Sequence, residues 1–223
     1  MKAFILRHDS VLSHEYSEIA SESCDAINLD WEYFEGFSNM LGSDAQEQLG
    51  IIANPKKTRR SMNSSENKAQ LCTASHMGIW KHIVDNDIEE AVIIEHDAVM
   101  LQKPNFKFPD DAIIALGYKL HDINRYAHQE QKNELRKIDR HSGSHAYALS
   151  KRAAQQLLDG ISKSGSAGCI DQHMFRANRF RNNLKLYISD PICAIGWIRK
   201  STIWNKSSDH NFEYIDSFRE KLS

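Results

Sequence analysis

Glu95, His96 and Asp97 follow one another directly, and each can ligate a metal ion. They close the run Ala91-Val92-Ile93-Ile94, which is uninterrupted, apolar and rich in β-branched residues. Such a run reads as a strand buried on both faces. In α/β proteins, ligands bind outside the carboxyl ends of strands of this kind, which is where the triplet stands. Burying three polar groups without partners is costly, so a binding site is one natural explanation. A surface turn that merely ends the strand is the other. On extended backbone, residues i and i+2 share a side, so Glu95 and Asp97 pair while His96 faces away, unless the chain has already turned.

Other residues could contribute chemistry. Asp171 opens the helical segment Ile170–Phe175 and is either a general base or metal ligand, or a plain helix cap. His145, beside Tyr147, is either a base or a core histidine bonded to backbone. Ser75 and His76 lie inside a helical pattern near its apolar side, where a lone histidine is more often a hydrogen-bonded core group. Lys56-Lys57-Thr58-Arg59-Arg60 is a solvated surface run or an electrostatic clamp for phosphate. Trp31, Tyr33, Phe34 and Phe37 either pack or offer a stacking platform. His121, His128 and His141 have no metal-ligand spacing.

The elements that must position these groups alternate between helix and strand. The pattern predicts a first strand at 3–6, a short helix at 14–23 and a second strand at 26–29 ending at Asp30. Residues 42–65 read as irregular. A helix starts near Asn63–Ser65, with Asn63 and Glu66 as a capping pair. It presents Leu71, Cys72, Ile79, Trp80, Ile83 and Val84 on one face up to Asp85. After the central strand come a strand at 112–116, a polar stretch at 119–141 and a strand at 144–149. Ser150 caps a helix that Gly160 closes, 162–168 turn, and a late strand runs from 184 to 188 until Asp190-Pro191. A tail helix forms around Phe212, Ile215 and Phe218. The alternation implies an α/β fold with a mostly parallel central sheet flanked by helices.

A chain of 223 residues fits one domain with a sizeable core. A net charge of −2 gives no global pull toward nucleic acid. No apolar run spans a bilayer, which leaves only peripheral contact with a membrane surface open. The N-terminus reads as a strand rather than a signal peptide. Cys24, Cys72, Cys169 and Cys193 are scattered, so free thiols in a reducing, cytoplasmic setting are expected.

Three segments in order then carry a resemblance: Cys72-Thr73-Ala74-Ser75-His76-Met77-Gly78-Ile79-Trp80, Ile93-Ile94-Glu95-His96-Asp97-Ala98, and Gly143-Ser144-His145-Ala146-Tyr147-Ala148-Leu149-Ser150 continuing to Ala154. Together they resemble glycosyltransferase family 25, which includes lipooligosaccharide and collagen galactosyltransferases. The likeness covers roughly residues 3–209 and is dense in about 40 of them. The chain departs at Lys68-Ala69, at Leu71 and at His96, where the family has Gly-Glu, Gly and Asp. The resemblance implies a GT-A-like domain for nucleotide sugars, acting in lipopolysaccharide-type biosynthesis. It implies metal-dependent, inverting transfer of a hexose, galactose in the named members, from a UDP-sugar to a glycan or polypeptide hydroxyl. Arg7, Ser75, His76 and Glu95 would serve the donor. Asp97 would be the main ligand of Mn2+ or Mg2+, with Glu95 acting through water or on the ribose. His96 is either a further ligand, since imidazole accepts manganese, or a surface substitution. Asp171, then His145, would be the base. A catalytically silent GT-A-like binding module and a metal-dependent phosphodiesterase are the alternatives.

Overall fold

A computed structural model describes residues 1–51, 65–119, 134–141, 143–165, 169–176 and 182–196. In chain order the elements are β1 (Lys2–Arg7), α1 (Val11–Ala26), β2 (Trp31–Glu35), α2 (Gly42–Gln48), α3 (Ser65–Asp85), β3 (Glu90–Glu95) and β4 (Ala98–Met100). They continue with β5 (Ala112–Ala115), β6 (Gly117–Lys119), β7 (Glu134–Lys137), β8 (Ala146–Ser150), α4 (Lys151–Ser164), a π-helical turn (Gln172–Arg176), β9 (Lys185–Asp190) and β10 (Ala194–Gly196). Among the described residues, seven strands form one sheet in the order β2-β1-β3-β8-β5-β9-β7, and β4-β10-β6 form a second, small one.

The strand pattern divides the core in two. Phe4, Leu6 and Ile93 point to the face covered by α3 and α4, with Trp80, Ile83, Leu157 and Ile161. Ala3, Ile5, Val92 and Ile94 point to the opposite face, with Ala20 and Cys24 of α1 and Met100 and Ala194 of the small sheet. Burial on both faces explains why β3 reads as a continuous apolar run rather than an alternating one. No disulfide joins the four cysteines. Among the described residues, no helix is long and apolar enough to cross a membrane.

The α/β layering with flanking helices is as expected, but the large sheet is mixed rather than mostly parallel. β1 pairs in parallel with β2 and β3, and β5 with β9, whereas β8 lies antiparallel to both β3 and β5, and β7 antiparallel to β9. β8 runs backwards because it enters from the loop at 143–145, on the side where β1 and β3 end.

Several local expectations change. Residues 26–29 are the last residue of α1 and the turn that closes it, not a strand. Asn28 takes φ 52° and the Leu29 amide bonds back to the Cys24 carbonyl at 3.0 Å, which closes the helix. The aromatic segment Trp31–Glu35 is the strand instead. Part of the supposed irregular stretch is α2, held to α3 by Asn67. The Asn67 carboxamide accepts from the Gly42 amide at 2.7 Å and donates to the Met40 carbonyl at 3.1 Å. Ser150 does cap α4, accepting from the Ala153 amide at 3.1 Å, but the helix runs through Gly160 to Ser164. A glycine inside a helix costs about 1 kcal/mol. Burying Ile161 completely gives back about 1.5–3 kcal/mol, so the helix continues to Gly165, whose φ is 73°. The 56–60 basic run, the Asn63 cap, His121, His128 and the tail helix lie outside the described residues.

Candidate active site at the strand ends

β1 and β3 end side by side, Leu6 opposite Glu95. The antiparallel β8 begins there too, because the Glu95 amide donates to the His145 carbonyl at 2.7 Å. One edge of the sheet therefore gathers Arg7, His8, Glu95, Ser144 and His145, with the helix α3 lying alongside. The two-face alternation continues into this edge. Glu95 follows Ile93 toward α3, and His96 follows Ile94 toward α1.

Glu95 is gripped from α3 and from the loop before β8. His76, fully buried, places its Nε2 3.1 Å from Glu95 Oε1. Ser144 Oγ donates to the same oxygen in a short contact. Burial alone would push the Glu95 carboxyl up. The hydrogen bonds from His76 and the Ser144 hydroxyl, with the nearby His145, outweigh it and hold the carboxyl well below the ordinary carboxylate range. His76 is itself held, with Nδ1 2.9 Å from Tyr147 Oη, and Trp80 Nε1 donates to that phenol oxygen at 2.8 Å. Trp80 and Tyr147 are fully buried, so this chain of polar groups runs through the core.

His96 and Asp97 form the two-residue turn from β3 into β4. Asp97 is partly exposed. His96 is 6% exposed, so it is not a surface substitution. Its ring stacks on Tyr16 of α1 at 6.2 Å and meets the His8 ring edge-on at 5.4 Å. Burial pushes both imidazoles down, His8 to about 4. His8 is a site residue that our sequence reading missed. It stands two residues past the apolar run Ala3–Leu6, as His96 stands past Ala91–Ile94, and the same strand-end logic finds it.

The remaining predicted residues fall at or beside this edge with different engagements. The Ser75 hydroxyl is used inside the fold: it donates to the Leu71 carbonyl at 2.8 Å and accepts from the Phe37 amide at 2.9 Å, anchoring the loop after β2. Arg7 pairs through Nε with Glu35 Oε1 at 2.5 Å, and its guanidinium carbon lies 3.9 Å from the Tyr33 ring centre. His145 is 2% exposed and packs against Gly196, where an added Cβ would come within 2.6 Å of its ring. Asp171 is partly exposed, and its Oδ2 accepts from the Gly143 amide at 3.2 Å. Gly143 adopts φ 92°, which favours glycine, and its loop thus ties Asp171, Glu95 and β8 together. Ser144, which completes that loop, was also missed; its only signal was its place between Gly143 and His145.

Two donor sets lie close enough to the edge to be weighed as metal sites. The ligand atoms of Cys72, His76 and Glu95 all lie within 4.8 Å of one another. Both His76 nitrogens are already engaged, however, and burial pushes the Cys72 thiol well up, away from the thiolate a metal would need. Glu95 and Asp97 present hard oxygen atoms at the strand end. A cation that keeps waters and substrate phosphates as its other ligands needs only one or two carboxylates, so this pair suits Mn2+ or Mg2+.

These features coincide with likeness to known proteins. LgtC, solved as an active-site mutant, is 8% identical; the match covers 99% of this chain and 96% of that one, at a TM-score of 0.51. At that identity the likeness shows the fold alone, the GT-A fold. The galactosyltransferase LgtC with donor and acceptor sugar analogs matches at 10% identity, 100% and 96% coverage and a TM-score of 0.49. A glycosyltransferase involved in glycosylation of the major capsid of PBCV-1 matches at 9% identity, 90% and 95% coverage and a TM-score of 0.47. No curated protein matches the chain in sequence. The sequence profile described as "Glycosyltransferase family 25 (LPS biosynthesis protein)" matches residues 11–174, from α1 through His76, Glu95, Asp97 and His145 to the segment that carries Asp171. The protein is thus a glycosyltransferase, and the chain belongs to glycosyltransferase family 25.

Proposed function

We propose that the protein transfers a hexose, galactose foremost, from a UDP-sugar to a hydroxyl of a glycan or polypeptide, with inversion and with a divalent cation. The observation that carries this reading is the carboxylate pair at the end of β3: Glu95 held ionised toward α3, Asp97 partly exposed in the next turn. Asp97 and Glu95 would hold Mn2+ or Mg2+. A cation there supplies Lewis-acid stabilisation of the departing diphosphate. The chain's own residues bind and move the proton. Asp171 takes the acceptor's hydroxyl proton, and it suits that role better than His145 because its carboxylate is partly exposed while the imidazole is buried. Gly143 holds Asp171 through its amide, on the loop whose next residue grips Glu95. The family's middle Asp is replaced by His96, which packs on Tyr16 toward α1; the carboxylates on either side of it are retained.

The test is a panel of nucleotide sugars, with and without manganese, read by nucleotide release. UDP-galactose with manganese should give the largest release. Asp97→Asn should abolish most of the thermal stabilisation that UDP and manganese give together, because the amide lacks the charge that holds the cation. Glycan binding without turnover would favour the silent module. Cleavage of a generic phosphodiester without sugar transfer would favour the phosphodiesterase.

A further inference from the structure

We propose that His76 is a positioning residue that holds Glu95 by one oxygen, as a neutral imidazole carrying its proton on Nε2, in a tautomer set by Tyr147 and Trp80. The inference rests on the transferase reading above and assigns a role to a buried relay that the reading does not use.

The direction of every hydrogen bond follows from what each group can do. An indole N–H only donates, so Tyr147 Oη accepts from Trp80 at 2.8 Å. An ionised carboxylate only accepts, so the His76 nitrogen 3.1 Å from Glu95 Oε1 carries a proton. A neutral imidazole has one N–H, which leaves Nδ1 with a lone pair. That lone pair, 2.9 Å from Tyr147 Oη, accepts the phenol proton. The polar atoms of Trp80, Tyr147 and His76, all fully buried, are then satisfied without remainder. A doubly protonated His76 would donate to Tyr147 as well. The phenol would accept twice, and its own proton would have no acceptor among the described residues, which is costly inside a core.

The relay ends on one atom. His76 Nε2 and Ser144 Oγ both engage Oε1, and no hydrogen bond among the described residues reaches Oε2. The Glu95 side chain is 19% exposed. Glu95 is thus fixed against rotation by one oxygen and offers the other at the strand end. The relay orients the donor-side carboxylate from within the core.

Gln and Asn substitutions separate positioning from packing. An amide N–H in Gln reaches about as far as Nε2, and in Asn only about as far as Nδ1. His76→Gln should bind UDP with manganese within a few-fold of wild type. His76→Asn should bind roughly ten- to a hundredfold more weakly, the loss typical of a hydrogen bond to a charged group, with KM rather than kcat carrying the change. Nitrogen-15 NMR of the wild-type protein without nucleotide should show His76 protonated on Nε2 and bare on Nδ1, and Tyr147→Phe should shift the Nδ1 resonance. A proton on Nδ1, or equal UDP affinity in the folded Gln and Asn variants and wild type, overturns the proposal. If wild type itself binds no UDP, the transferase reading falls and the positioning role with it. If wild type binds UDP and His76→Asn binds it equally well, only the positioning role falls.

Discussion

Acidification from about pH 8 to about pH 5 should destabilise the protein through His8, and His8→Asn should lose much of that dependence. His8 stands at the end of β1, with the His96 ring 5.4 Å away at 79°. Burial is the main cause that pushes its imidazole down to about 4, and His96 adds to it, while Glu95 and Glu35 oppose it. In the unfolded chain a histidine titrates at about 6.5. Between those two values the unfolded chain holds a proton that the folded protein does not. The stabilisation is therefore complete above about pH 6.5 and is lost as the pH falls toward 4. Linkage between these values puts the loss at about 2 kcal/mol by pH 5, and the partial exposure of His8 trims this to about 1–2 kcal/mol. His96, also pushed down by burial, adds a loss of the same sign. Urea titrations of wild type and His8→Asn at several pH values measure the difference directly. Equal slopes of stability against pH in the two proteins would refute the argument.

Three further outcomes are expected. Asp171→Asn should lower transfer roughly 100- to 10,000-fold while leaving UDP binding and thermal stability near wild type, because its amide oxygen can still accept from Gly143; an unchanged rate would remove Asp171 from the base role. Gly117→Ala should destabilise by about 3 kcal/mol, since an added Cβ would lie 1.7 Å from the Ala194 carbonyl oxygen and force β6 and β10 apart; a melting temperature near wild type would contradict this packing. Ser150→Ala should cost about 1–2 kcal/mol in denaturant unfolding, through loss of the α4 cap and of the bond to the Asp110 carbonyl.

What the sequence made legible were features with local causes. The apolar run of β3, the helical stripe of α3 and the Ser150 cap each depend on a few neighbouring residues. The mixed sheet was not legible, because Ala146–Ser150 has the same pattern whichever way it runs, and its direction is set by the distant pairing with β3. The end of α1 was misread because Ala26–Leu29 is apolar enough for a strand, while the deciding feature is the backbone of Asn28. At the site, the carboxylate pair and His76 could be found by type and spacing. That Tyr147 and Trp80 hold His76 could not, since residues 67 and 71 positions apart meet only through the fold. His8 was legible in principle, and only the strand-end argument applied to β1 was lacking.

The turn His96–Asp97 is also the point where the chain passes from the large sheet to the small one. Glu95 is registered by β1 and β8, and Ala98 by β10, where it sits opposite Gly196. Only the two-residue turn lies between these anchors. A residue inserted past the turn would exchange the two faces of β4, putting Val99 where Ala98 and Met100 now pack, since strand faces alternate with period two. One deleted residue would do the same. The backbone spacing from Glu95 to Ala98, and with it the turn that carries Asp97, is therefore set by two cores at once.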